Sequence, residues 1–266
     1  MIERWTDRLQ HRVESMRVFG GATSPLQRTN DLTESALLHQ WRLGSRVLHG
    51  PFRGLTYASM ESTGSSLIPK LLGCYELELH HVLEHLFRHP LSSIVDVGCA
   101  EGYYAVGCAL RCSQAKVFAF DTDPRARRLC AEMASRNEVT ERVQVFGECT
   151  PELLRALPLG PCSLVIVDCE GYESHLFDDA AILAMRDHFL LVECHDFIKP
   201  GVTNWLESRF SSTHRVLRIA SASDLERAQI IGIPELAGMS PAERISAVAE
   251  RRPCRMNWLF MTPVLR

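Results

Sequence analysis

The chain has 266 residues, 46% of them hydrophobic and 23% charged, with 29 basic against 32 acidic residues and a formal net charge of -3. That much apolar content with so little net charge excludes a chain disordered over most of its length. It also argues against bulk electrostatic attachment to nucleic acid or to an anionic membrane, so neither is expected as a partner.

Residues 1–19 and 33–48 carry apolar positions at helical spacing, with breaks at Gly20-Gly21 and Gly50-Pro51. Residues 61–66, Glu-Ser-Thr-Gly-Ser-Ser, read as a loop. After Pro69 a helical pattern runs through Leu71, Leu72, Tyr75, Leu79, Val82, Leu83 and Leu86 and stops before Pro90. Residues 1–69 are therefore expected to be a helical N-terminal cap, and residues 70–266 the main domain. Within the helix, His81-Val82-Leu83-Glu84-His85 fits H-x-x-E-H, the inverted zinc-peptidase signature. So short a match recurs by chance, and the apolar period already explains the segment as an amphipathic helix.

From residue 93 the texture changes to short apolar strands alternating with helices. Strands are expected at 94–97, 116–120, 142–146, 163–167 and 188–193, with helices at 103–111, 125–137 and 174–185 between them. A helix at 205–210, a sixth strand at 214–219 and a seventh at 257–261 follow, the last two separated by an insertion at 221–255. Such alternation specifies a doubly wound α/β fold, a Rossmann-like, seven-stranded, mostly parallel sheet. The two late strands suit an antiparallel pair at its edge.

The ten cysteines lie mostly singly in apolar runs, and no pair has C-x-x-C spacing. They read as reduced, buried thiols. The charged N-terminal stretch and the absence of an apolar run of about 20 residues point to a cytoplasmic protein.

In an open parallel sheet a ligand sits beyond the carboxyl ends of the strands, where strand order reverses. After the first strand comes Asp96-Val97-Gly98-Cys99-Ala100-Glu101-Gly102-Tyr103, a glycine-bearing turn opening a helix. Asp121, after the second strand, is an acid suited to a pair of ribose hydroxyls. Gly147 and Glu148 follow the third, where a carboxylate can accept from an adenine amino group. Asp168 and Glu170 follow the fourth strand, and Glu193, His195 and Asp196 the fifth. A nicotinamide-linked dehydrogenase is disfavoured, because G-x-G-x-x-G is missing.

This order of motifs resembles the class I S-adenosylmethionine-dependent methyltransferases, over roughly residues 70–266. The closer resemblance is to their FkbM type, carried by Asp96–Tyr104, by Ala119-Phe120-Asp121-Thr122-Asp123-Pro124, and by Asp168-Cys169-Glu170-Gly171-Tyr172-Glu173. It departs from that type in having Asp121 where Glu is common. The resemblance implies S-adenosylmethionine as cofactor, held by Asp96, Gly98, Cys99, Ala100, Gly102, Tyr103, Asp121, Thr122, Gly147, Glu148 and Asp168. It implies methylation of a hydroxyl on a small or carbohydrate-like molecule. Asp168 and His195, brought together at the ends of adjacent strands, are the candidate catalytic residues, His195 as a base with an ordinary pKa of about 6.5.

The run Cys194-His195-Asp196-Phe197 is also similar to the strand-five region of catechol-type O-methyltransferases. That likeness implies a divalent metal held by Asp168, His195 and Asp196. Lys70, Tyr75 and Glu76 are candidates to close over the cofactor. A protein or peptide methyltransferase and a cofactor-binding module without catalysis remain alternatives, and a homodimer stays open.

Overall fold

The computed structural model of this protein describes residues 44–264, so the helix expected at 1–19 and residues 33–43 of the one expected at 33–48 lie outside the described residues, and 44–48 are not helical. Residues 44–66 contain no helix or strand, only an isolated bridge between Arg46 and Thr56. The expected helical cap is therefore irregular chain over residues 44–66. Backbone bonds such as Val47 N–H to the Leu55 carbonyl at 2.8 Å order it, and Val47, Phe52, Leu55 and Tyr57 are buried against the main core.

The single helix expected from Leu71 to Leu86 is three pieces: α1 (Leu67–Leu72), a 3-10 turn (Leu77–Leu79) and α2 (His80–Leu86). Two residues interrupt it. Gly73 adopts φ 74° and Glu76 φ 48°, both left-handed. At Gly73 only a glycine fits, because a Cβ there would stand 2.0 Å from the His49 carbonyl oxygen. An apolar period cannot register such a break, since both halves bury the same face.

The sheet contains β1 (Ser93–Val97), β2 (Lys116–Phe120), β3 (Val143–Phe146), β4 (Leu164–Val167), β5 (Phe189–Cys194), β6 (His214–Ala220) and β7 (Asn257–Pro263). Their spatial order is β3-β2-β1-β4-β5-β7-β6, confirming the seven-stranded, mostly parallel, Rossmann-like sheet. Strands β1 to β5 pair in parallel; β7 runs antiparallel between β5 and β6. The late strands do pair with each other, and β7, the last in sequence, takes the inner place. Its burial explains this: Trp258, Leu259, Phe260 and Met261 are all inaccessible, as a strand covered on both faces requires.

Helices α3 (Tyr103–Arg111), α4 (Pro124–Arg136) and α5 (Pro151–Ala156) follow the first three strands. Between β4 and β5 the expected single helix is two, α6 (Glu173–Leu176) and α7 (Asp179–Ala184), the second capped by Asp178. Helix α8 (Val202–Phe210) precedes β6. Alternation along the strands feeds two cores: Ile94, Leu164 and Leu191 face one side, Val95, Val165 and Leu190 the other.

The segment 221–255 forms α9 (Asp224–Ile230), a 3-10 turn (Pro234–Leu236) and α10 (Pro241–Val248). Ser223 with Glu226 and Ser240 with Glu243 make capping boxes that start the two helices. Ala228, Leu236, Ala247 and Val248 pack on Ile68, Leu72 and Cys74, so this late segment and α1 share one core. No described helix is long and apolar enough to cross a membrane.

Candidate functional site

Beyond the carboxyl ends of β1, β2, β3 and β4 lies a cavity of about 430 Å³. It stands at the β1–β4 junction, where strand order reverses, and its volume is that of a small-molecule site.

The turn after β1 supplies one wall through Gly98, Cys99, Ala100 and Tyr103. Gly98 has φ 88°, and a Cβ there would stand 1.7 Å from the Asp168 carbonyl oxygen. Its glycine thus lets the loops after β1 and β4 touch. Asp121 and Thr122 line the cavity after β2, Gly147 and Glu148 after β3, and Asp168 after β4. Asp96 and Gly102 are not lining residues. Asp96 is buried within β1, and Gly102 caps α3 with φ 98°, packed against Cys130.

Asp121 ties the strand ends together. Its carboxylate accepts from the Ala100 backbone N–H at 2.9 Å and from the Asp123 N–H at 2.9 Å. Each oxygen keeps a lone pair for a ligand hydroxyl. Glu148 accepts from the Tyr172 hydroxyl at 3.4 Å.

A second wall comes from Thr63, Gly64, Ser65, Lys70 and Tyr75, with Lys70 and Tyr75 among the residues expected to close the site. The strap at 63–65 has no composition signal beyond that of a loop. What holds it is Glu101, buried inside the turn after β1. Its carboxylate accepts from Lys70 Nζ at 2.5 Å, Ser62 Oγ at 3.1 Å, Tyr57 Oη at 3.1 Å and the Thr63 N–H at 3.0 Å. Burial opposes charge on Glu101, but Lys70 outweighs it and holds the carboxyl below its usual range. Glu76 lies beside this wall, accepting from the Tyr104 hydroxyl and from Arg252 at 2.7 Å.

The remaining side of the site is a ring of acids around one imidazole. His195 is 1% exposed, and its Nδ1 lies 2.6 Å from Glu173 Oε1, which also accepts from the Gly171 N–H at 3.0 Å. The Nε2 stands 3.4 Å from Asp168 Oδ1, 3.4 Å from Glu170 Oε2 and 3.7 Å from Glu193 Oε2. Burial pulls the His195 pKa down, but the Glu173 hydrogen bond and the surrounding carboxylates win and raise it. Burial first, and then the Glu76 charge, push Asp168 up to about 7. Burial and the neighbouring Asp168 raise Glu193 as well, against the Arg252 guanidinium that pairs with it.

Asp196 stands apart from this ring. Its carboxylate caps α8, accepting from the Gly201 N–H at 3.1 Å, the Thr203 N–H at 3.3 Å and the Thr203 hydroxyl. Glu193 is the acid that joins Asp168 and His195 instead. Side chains alternate along an extended chain, so Glu193 and His195 share a side while Asp196 turns to the other. That period was a usable signal for Glu193; Glu173, on a different loop, had none of that kind.

The H-x-x-E-H segment lies on α2, away from the cavity-lining residues. Its Glu84 is held bidentately by Arg111 at 2.8 Å, and among the described residues the one cluster with metal-ligand geometry is elsewhere.

No family model matches the chain, and no curated protein matches it. Solved structures match it at low identity. A candidate rRNA methylase from Clostridium thermocellum is 12% identical, over 71% of this chain and 97% of that one, with a TM-score of 0.49. The precorrin-6y C5,15-methyltransferase of Geobacter metallireducens GS-15 is 12% identical, over 71% and 86%, with a TM-score of 0.46. A geranyl diphosphate methyltransferase solved with GPP and sinefungin is 12% identical, over 73% and 81%, with a TM-score of 0.41. These sequences are too distant for the likeness to speak to more than the fold.

Proposed function

We propose that this protein is an S-adenosylmethionine-dependent methyltransferase whose acceptor is a hydroxyl of a small or carbohydrate-like molecule. One observation carries the reading: the glycine turn, Asp121, Glu148 and Asp168 border a single cavity at the reversal of strand order. The three motifs that resemble the FkbM type are those that border it, which supports that finer assignment. Asp121 would hold the ribose, its two backbone N–H partners fixing the carboxylate in place. Glu148 would meet the adenine, and the turn at Gly98 to Tyr103 the methionine part.

When bound, the cofactor would supply an electrophilic sulfonium methyl for in-line displacement by the acceptor oxygen, its sulfur taking the C–S electrons, and this chain's part would be to align the acceptor and take up the hydroxyl proton. Asp168, with a pKa of about 7, and the carboxylates around His195 are acceptors for that proton. A strap held over the cavity by Glu101 would exclude water from the sulfonium.

Calorimetry with S-adenosylmethionine tests the cofactor, and Asp121→Ala should weaken its binding about tenfold or more. Wild-type affinity in that variant would remove the ribose assignment. For the acceptor, label from methyl-tritiated cofactor should enter the small-molecule fraction of a cell extract. Transfer to the protein fraction alone would favour a protein or peptide acceptor.

A further inference from the structure

The ring around His195 combines features that a proton cage alone does not need. Asp168, Glu193 and His195 each offer one ligand atom, all within 4.8 Å of one another. Ligands sharing one ion through bonds of about 2.1 Å stand about 3.0–4.2 Å apart. The separations from His195 Nε2, 3.4 Å to Asp168 and 3.7 Å to Glu193, fall in that interval. Asp168 Oδ1 is a buried oxygen with no hydrogen-bond partner. The far nitrogen of the ring is already committed: Glu173, fully buried, accepts from Nδ1 at 2.6 Å. A carboxylate on Nδ1 selects the tautomer with a free Nε2 lone pair and orients it, as it does for metal-bound histidines.

We propose that Asp168, Glu193 and His195 bind a divalent first-row transition ion at the edge of the cavity, with Glu173 as the positioning residue. One imidazole among carboxylates favours Mn2+, Fe2+ or Zn2+ over the purely oxygen-seeking Mg2+ and Ca2+. Asp168 faces both the ion and the cavity, so the ion would meet an acceptor hydroxyl there and lower its pKa. Glu170 Oε2, at 3.4 Å from Nε2 and largely exposed, is on the solvent side of the ring and can close over it. The catalytic use of the ion rests on the methyltransferase reading; its binding does not.

The test uses the full chain stripped with chelator and titrated with Mn2+ by calorimetry and electron paramagnetic resonance, with Zn2+ as a second probe. One ion per chain is expected. His195→Ala and Glu193→Gln should each weaken binding at least tenfold, and Glu173→Gln between about 10- and 100-fold. Asp196→Asn should leave affinity unchanged. Thermal melting of each variant separates lost ligands from lost folding, and Glu193→Gln keeps the shape of the native side chain. Failure of wild type to take either ion overturns the site and leaves a proton on His195; so does binding that survives both His195→Ala and Glu193→Gln. S-adenosylmethionine titrated into the same metal-free protein keeps the two ideas apart. Cofactor uptake without metal uptake removes the ion alone, and metal uptake without cofactor uptake removes the methyltransferase reading alone.

Discussion

Asp96 sits on the core-facing side of β1, among Ile94 and the apolar residues of α3, and is 1% exposed. Its Oδ2 has no partner, and burial pushes its pKa up to about 7 although the Ala105 backbone lowers it somewhat. The folded chain therefore keeps a proton on Asp96 over a range where the unfolded chain, near the ordinary value of 3.8, has lost it. Stability falls as pH rises through that window, from about 4 to about 7, and the penalty is complete above it. Asp96→Asn removes the titration without changing the shape. Chemical denaturation should find the variant gaining on wild type from pH 4 to pH 7, by a few kcal/mol at most, and level above. A constant difference across that range would contradict the buried charge. Residues of this kind were half legible. Asp96, Asp121 and Asp168 follow from their place at strand ends, whereas the burial that separates their chemistry comes from neighbours far away in sequence.

Elements show a similar division. Strands β1, β2, β4 and β5 are runs of apolar residues with no competing pattern, and each formed within a residue or two of its expected span. The segment from α1 to α2 did not, because its break depends on His49, which packs against Gly73 from the irregular stretch before it. Gly73→Ala should be destabilising by about 2 kcal/mol or more, from left-handed strain plus backbone overlap. Loss of α1 packing would also loosen Lys70, so cofactor affinity should fall together with the melting temperature. If both are unchanged, the turn does not join α1 to the stretch around His49. Periodicity also merged α6 with α7, where Asp178 restarts the helix by accepting from the Ala181 N–H at 2.7 Å.

At the scale of the molecule, Arg252 holds three parts together. Its guanidinium binds Glu250 at 2.8 Å, Glu76 at 2.7 Å and Glu193, joining the late segment, the wall beside α1 and the end of β5. These carboxylates are buried; removing Arg252 leaves Glu76 and Glu193 without that cation, while Glu250 keeps Arg227 at 2.9 Å. Arg252→Met should destabilise by about 3–5 kcal/mol, read by chemical denaturation. Limited proteolysis should then cut within 221–255 while the sheet survives; resistance equal to wild type would mean the capping boxes and apolar contacts suffice.

From its sequence alone this chain specified a parallel α/β sheet and the loops that border its cavity. Those features depend on apolar runs, glycines and acids spaced locally along strands and turns. Only the tertiary structure decided that Glu193 rather than Asp196 joins His195, that Glu173 orients the ring, and that β7 lies inside β6. Each depends on which side of a strand faces which neighbour, and packing between distant segments sets that.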